Sequence, residues 1–231
     1  MYNIEILNLL YLTLPVGLVG YFYFKWVGNR GEILFATIRM VSQLLLIGYL
    51  LSYIFTQKSN LITILIVIVM AVSASFIAFR NIAKQDLETY KSIFISIFIG
   101  GSINLFVVIY FVLNIKSFNE PRFIIPIAGM LYANCMNAVS LVAERFEKEI
   151  ESKSYIDARA NAFKASLIPQ INSFLAVGLV SLPGMMTGQI LSGVDPIIAV
   201  RYQIMVMFMV LGSSGISTII YLWQKGKSNA Y

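Results

Sequence analysis

An all-α, polytopic bundle of membrane-spanning helices is the fold class this sequence predicts, and three observations predict it. Hydrophobic residues make up 58% of the 231 positions and charged residues only 12%, far too apolar a balance for a water-soluble domain. Apolar stretches long enough to cross a bilayer recur along the chain, since a hydrocarbon core of about 30 Å takes roughly 20 residues of helix. The lysines and arginines behind the net charge of +6 fall between those stretches. That is the placement of membrane-protein loops and not of a nucleic-acid-binding face.

Seven stretches qualify, taken in order. Ile4–Phe24 has Glu5 where a secretory signal would carry a basic flank, and its apolar run is too long for one, so it reads as a retained helix. Ile33–Phe55 carries Arg39 and Gln43 one turn apart, with Arg39 near enough to its end to snorkel. Leu61–Phe79 sets the small residues Ala71, Ser75 and Ala78 where a second helix can approach closely, and Gly100-Gly101 in Ile93–Leu113 permits the same approach or marks a kink. The fifth stretch, Phe123–Ala143, is polar in its second half: Met130, Asn134, Asn137, Leu141 and Glu144 recur at offsets of four and three and share one helical face. Leu167–Leu191 is interrupted by Pro183-Gly184. Ile197–Trp223 follows Asp195-Pro196, an N-cap and a first-turn proline, and contains the close-packing cluster Gly212-Ser-Ser-Gly215.

Between the fifth and sixth stretches lies the largest polar segment, 145–166. Glu144/Lys148 and Glu149/Lys153 are i,i+4 pairs in the favourable order, which predicts a helical hairpin that projects from the membrane and returns. No linker or repeat divides the chain, so residues 1–231 read as a single transmembrane domain. Thirteen basic residues (Lys25, Arg30, Arg39, Arg80, Lys84, Lys91, Arg145, Lys148, Lys153, Arg159, Lys164, Lys225 and Lys227) fall on one side of a seven-span layout. Lys58, Lys116, Arg122 and Arg201 fall on the other. The positive-inside rule then places the N-terminus outside, the 145–166 hairpin and the C-terminus in the cytoplasm, and the chain in the inner or plasma membrane. An interrupted sixth stretch also fits a re-entrant segment.

The interruption is the feature that points to function. Backbone freed from its helix inside hydrocarbon must face other protein or a hydrated cavity, and transport proteins place their pathways at such breaks. Pro183, Gly184, Met185 and Met186 are therefore candidate pathway residues, together with Asn134 and Asn137. The two asparagines fit a lining that offers weak, replaceable contacts, and they equally fit interhelical hydrogen bonding. Met205, Met207 and Met209 have thioethers suited to soft metals, yet their alternate spacing scatters them around a helix, as packing residues would be. Histidine is absent, which removes Ser-His-Asp catalysis and His metal ligation. The one cysteine, Cys135, cannot form a disulfide within the chain. Gly226-Lys227-Ser228 resembles the end of a phosphate-binding loop, but Tyr221 stands where that pattern needs glycine.

Several of these residues also carry a resemblance. The run from Val177 through Pro183-Gly-Met-Met186 to Ile190, Asp195-Pro196, Val200-Arg-Tyr-Gln-Ile-Met205, Ile125-Pro-Ile-Ala-Gly-Met130 with Asn134 and Asn137, and Ser166-Leu-Ile-Pro169 with Asn172-Ser173 resemble the permease subunits of FetB-type iron-export ABC transporters. Plant half-transporters linked to aluminium tolerance are similar to the same group. The resemblance implies a homodimer of permeases that exports a metal ion or metal-linked solute and docks a separate cytoplasmic ATPase. The partner would bind ATP and Mg, with no cofactor in this chain and no nucleic acid involved. It also implies that the 145–166 region contacts the ATPase, with Lys153, Asp157, Arg159 and Lys164 as contact residues, although the chain departs from the family pattern there in having no glycine between Gly129 and Gly178. Two rivals stand beside this reading. An ion-coupled secondary carrier would want carboxylates within its spans, and only Glu5 comes near such a position. A seven-helix receptor or retinal pigment would want a Schiff-base lysine in the last span, and Ile197–Trp223 has none.

Overall fold

A computed structural model describes residues 5–28, 31–55, 59–80, 82, 85–118 and 120–228. Ile4, and the orientation-setting residues Arg30, Lys58 and Lys84, lie outside the described residues, as does the side chain of Lys227. The chain divides into two compact units, Met1–Gln57 and Lys58–Tyr231.

The first unit holds α1 (Ile6–Leu9), a 3₁₀ turn (Leu10–Leu12), α2 (Thr13–Val27) and α3 (Glu32–Ile54). The early tightening has a local cause: Pro15 has no N–H to offer the carbonyl of Tyr11, and Thr13 Oγ1 donates to Leu10 O at 2.6 Å. The segment is still long and apolar enough to cross a membrane, from Leu7 to Val27. Gly28 ends α2 in the left-handed region, at φ 82°, with its N–H on Phe24 O at 2.9 Å. Tyr23 donates to Glu32 across the turn at 2.5 Å. Neither apolar window in this unit contains a buried residue. Helices hydrophobic all round yet unburied need lipid or further protein about them.

The second unit consists of α4 (Asn60–Arg80), α5 (Leu87–Phe106) with a π-helical turn (Val107–Val112), α6 (Pro121–Ile150), α7 (Tyr155–Ala176), α8 (Gly184–Leu191) and α9 (Pro196–Ser228). Asp86 caps α5, accepting from Thr89 N at 2.7 Å, and so starts it six residues before the apolar stretch. Asp195 caps α9 as the sequence predicts, its Oδ1 accepting from Ile197 N at 2.8 Å and Ile198 N at 3.3 Å. α6 runs unbroken into the polar segment as far as Ile150, the chain turns over Glu151–Ser154, and α7 carries the rest of the segment back.

The helices pack in a core of small residues. α5 and α6 lie on α9, α4 lies on α5 and α6, and α7 lies on α6. Ala71, Ser75 and Ala78 are fully buried. Gly100 is a point of close approach and not a kink: a Cβ there would stand 2.8 Å from Ser217 N, and one on Gly101 would stand 2.5 Å from the Tyr132 ring. Gly212 is held as closely by Asn104, whereas Gly215 has open space. Between helices in lipid, van der Waals contact and hydrogen bonds supply the attraction that apolar burial supplies in water. Several buried hydroxyls here meet their helix's own carbonyls, as in Ser75 to Ala71 O at 2.8 Å and Thr218 to Ser214 O at 3.0 Å.

Among the described residues six helices are long and apolar enough to cross a membrane, against seven predicted stretches. The difference falls on Leu167–Leu191. Its first half is the end of α7, which begins far back at Tyr155; a turn follows, and α8 has eight residues. Contacts nonetheless fix which helix ends lie together in this unit. Tyr155 at the start of α7 donates to Leu222 O near the end of α9 at 2.9 Å, and Lys225 donates to Thr89 at the start of α5 at 3.2 Å. Asn60 at the start of α4 instead receives Ser117, beyond the end of α5, at 3.4 Å. The end of α9 thus lies with the α6–α7 turn, so the chain from α7 through α8 must travel to the opposite end before α9 begins.

Candidate functional site

A cavity of ≈ 460 Å³ opens between α6 and α7, with Ile77 of α4 at its wall. α6 supplies Asn134, Asn137, Ser140 and Glu144, and α7 supplies Pro169 and Gln170. The α6 residues recur every three or four positions because one face of an unbroken helix looks into the space. Asn134 turns its amide back onto Met130 O at 2.8 Å. Asn137 is exposed, and Glu144 pairs with Lys148 at 2.6 Å near the hairpin end. Pro169 sits inside α7 and has no N–H for the carbonyl of Ala165. Beside it Gln170 is 6% exposed; its Nε2 donates to Ser214 at 3.4 Å, while its Oε1 and the hydroxyl of Ser140 have no hydrogen-bond partner.

A second, apolar cavity of ≈ 260 Å³ lies between the α7–α8 turn and α9, bounded by Phe174, Pro183, Met186, Met207 and Phe208. The turn forms because Gly178 takes φ 83°, which a side chain would resist, and its N–H reaches Ser181 O at 3.0 Å. Pro183 then starts α8 from extended backbone. The tip is strongly apolar and projects, Leu179 being 91% and Val180 84% exposed.

The structure therefore divides the six candidate pathway residues. Asn134 and Asn137 line the polar cavity, and Pro183 and Met186 line the apolar one. Met185 packs against the buried core, and Gly184 opens α8 with free space about its Cα. Of the three scattered methionines Met209 is buried, Met205 packs on the core and Met207 faces the apolar cavity. Among the described residues no group of three or more His, Cys, Asp or Glu gathers that could hold a metal. Cys135 is a buried free thiol.

Lys153, Asp157, Arg159 and Lys164 are all exposed on the hairpin turn and along α7. Asp157 accepts from Ser154 at 2.7 Å in a reciprocal cap, and the Arg159 guanidinium lies 5.5 Å from the Tyr155 ring centroid. Behind them is a clamp that sequence spacing shows only in part. Glu149 binds Lys153 and Arg145, each at 2.6 Å, and also accepts from Asn161 of α7 at 2.9 Å. The Lys153 pair is visible as an i,i+4 spacing. The Asn161 contact crosses the turn, and no periodicity reveals it. Gln170 and Ser140 were likewise missed. Their signal is the amide of Gln170, two residues before Asn172 in the run Leu167–Ala176, and the hydroxyl one turn beyond Asn137.

The apolar helices of the described residues, six of them long enough to span a bilayer, define a polytopic helical membrane protein, and the polar cavity lies within its second unit. The chain belongs to the uncharacterised protein family UPF0014, whose model matches residues 6–228. It is 37% identical to the probable iron export permease protein FetB of Escherichia coli, over 82% of this chain and 78% of that one. It is 34% identical to the UPF0014 membrane protein YjkA of Bacillus subtilis, over 90% and 89%. To the protein ALUMINUM SENSITIVE 3 of Arabidopsis thaliana it is 33% identical, over 90% and 82%. No solved structure matches the chain.

Proposed function

We propose that the chain is the permease subunit of an ABC exporter, carrying a metal ion or metal-linked small solute across the inner or plasma membrane. One observation carries the reading: its 37% identity to a protein named a probable iron export permease. A homodimer of these chains forms the pathway, and a cytoplasmic ATPase that binds ATP and Mg drives it. This chain contributes no cofactor site and binds no nucleic acid. All 231 residues form one permease domain, with the N-terminus outside and the C-terminus and the hairpin about 145–166 in the cytoplasm. Lys153, Asp157, Arg159 and Lys164 meet the ATPase there. Asn134, Asn137, Pro183, Gly184, Met185 and Met186 lie along the pathway.

The geometry supports this reading. Asn137 and Glu144 are exposed beside a polar cavity, and a polar face of that kind is costly against lipid, so it favours a second copy or a wet conduit over it. The rival secondary carrier needs a carboxylate within its spans. Among the described residues Glu149 is the buried one, and it is neutralised by Arg145 and Lys153 at the hairpin. The test is reconstitution of the permease with its ATP-hydrolysing partner in vesicles whose cytoplasmic face points outward. Radiolabelled iron(II) is expected to accumulate only with both ATP and the partner present. Flux that ignores both would overturn the reading.

A further inference from the structure

We propose that the groove between α7 and α9, at the end of the bundle that carries the α6–α7 turn, binds an anionic phospholipid, with Arg159 and Trp223 on its phosphate and an acyl chain along Phe163, Ile219 and Leu222. The proposal goes beyond the permease reading and does not depend on it.

Arg159 is the first observation. It is exposed on the groove's edge, and its guanidinium forms no salt bridge among the described residues. It is nonetheless held in place. Its guanidinium lies 5.5 Å from the centroid of the Tyr155 ring, and the Tyr155 hydroxyl donates at 2.9 Å to the carbonyl of Leu222, itself a wall of the groove. A cation fixed in this way has less freedom to lose when it takes a ligand. Trp223 is the second observation. It is 65% exposed, and its indole N–H, which can only donate, meets no acceptor among the described residues. A positive charge and an unused donor lining one groove suit an anion.

The rest of the lining selects the ligand. Ala160, Phe163, Ile219 and Leu222 are apolar, and the groove's ≈ 220 Å³ gives room for part of an acyl chain while the headgroup stays outside. Among the described residues Arg159 is the one charged side chain that borders it. The apolar stretch of α9 continues to Gly226, so Ile219 and Leu222 lie at bilayer depth. A water-soluble acidic segment would have to shed its hydration to enter there. Lipid reaches that depth without such a cost, and an anionic headgroup answers Arg159. Tryptophan is enriched at headgroup level in membrane proteins, and basic pockets between spanning helices on the cytoplasmic side take anionic headgroups. The basic residues at this end of the bundle predict that side for it. Arg159 is also among the hairpin residues assigned to the ATPase, so the lipid lies at the border between bilayer and partner.

The experiment titrates the purified full-length protein, with no ATPase present, with dioleoylphosphatidylglycerol or dioleoylphosphatidylcholine and counts retained lipid by native mass spectrometry. The two lipids share their acyl chains and differ in headgroup charge, and the wild type should retain the phosphatidylglycerol at lower concentration. Arg159→Gln should weaken that binding about fivefold, the contribution of one cation at an anionic surface. Trp223→Phe should weaken it less, and Arg159→Lys should keep most of it. Lys116→Gln, at the other end of the bundle beside Ser117, should bind as the wild type does. Inorganic phosphate at equal concentration should not displace the lipid, because the apolar walls hold its chain. Equal retention of the two lipids by the wild type, equal retention of phosphatidylglycerol by wild type and Arg159→Gln, or displacement by phosphate would overturn the proposal. Gel filtration and melting temperature report folding, and if Arg159→Gln folds poorly, Trp223→Phe and the comparison of the two lipids decide. Vesicle flux is scored separately, so a protein that retains the lipid yet moves no metal would overturn the transport reading alone.

Discussion

At the scale of single residues, packing and transport make different demands, and substitutions separate them. Gly100 meets the backbone of Ser217, which cannot swing away as a side-chain end can. Gly100→Ala should therefore destabilise the second unit by about 1–3 kcal/mol, the usual cost of overpacking, and lower the melting temperature in detergent. Gly215→Ala, with open space around it, should leave that temperature unchanged. A transport residue should behave in the opposite way. Asn137→Ala and Met186→Ala should reduce ATP-driven efflux while the protein still assembles with its partner, and wild-type flux in both would remove them from the pathway. Asn134 and Asn137 were legible in the sequence because offsets of three and four fix a shared helical face without any tertiary knowledge. Gln170 was not, since its burial and its bond to Ser214 depend on another helix's approach, and Gln170 and Asn172, two residues apart in an apolar run, share no helical face to betray it.

At the scale of elements, the sequence located the crossing helices to within a few residues wherever a local signal marked the end. Asp195-Pro196 starts α9 where a cap and a first-turn proline require it. The sixth stretch shows where local signals fail. Its apolar length implies a span of its own, but α7 starts in the polar hairpin at Tyr155 and Gly178 turns the chain after Ala176. Hydropathy measures how apolar a segment is and not where its helix began. The hairpin is the element on which coupling to an ATPase would depend; Glu149 joins its two arms through Asn161 and also pairs with Arg145 on its own arm and Lys153 in the turn. Glu149→Ala removes all three contacts and leaves Arg145 and Lys153 without their shared carboxylate. Trypsin should then cut after Lys153 faster than in the wild type, and ATP hydrolysis should lose its dependence on the permease. A hairpin equally resistant to trypsin in both proteins would show that the turn is held by its caps alone.

At the scale of the whole molecule, the number of crossings and their direction are one problem, because an odd count puts the termini on opposite sides. In the second unit the α6–α7 turn, the start of α5 and the end of α9 share one end, while Asn60 and Ser117 share the other. Arg80, Lys91, Arg145, Lys148, Lys153 and Lys225 belong to the first of these ends, which the positive-inside rule predicts to be cytoplasmic. The interrupted segment from α7 to α8 then has to cross, although no single apolar helix spans it. Cysteine labelling tests this directly, since Cys135 is buried and the chain has no other. In intact cells an impermeant maleimide should modify Glu5→Cys, Lys116→Cys and Ser192→Cys, and should reach Ser152→Cys only after permeabilisation. The decisive position is Ser192, which closes α8. If Ser192→Cys reacts only together with Ser152→Cys, the segment dips into the membrane and returns, and α9 would have to run the other way, against its contacts with Tyr155 and Thr89.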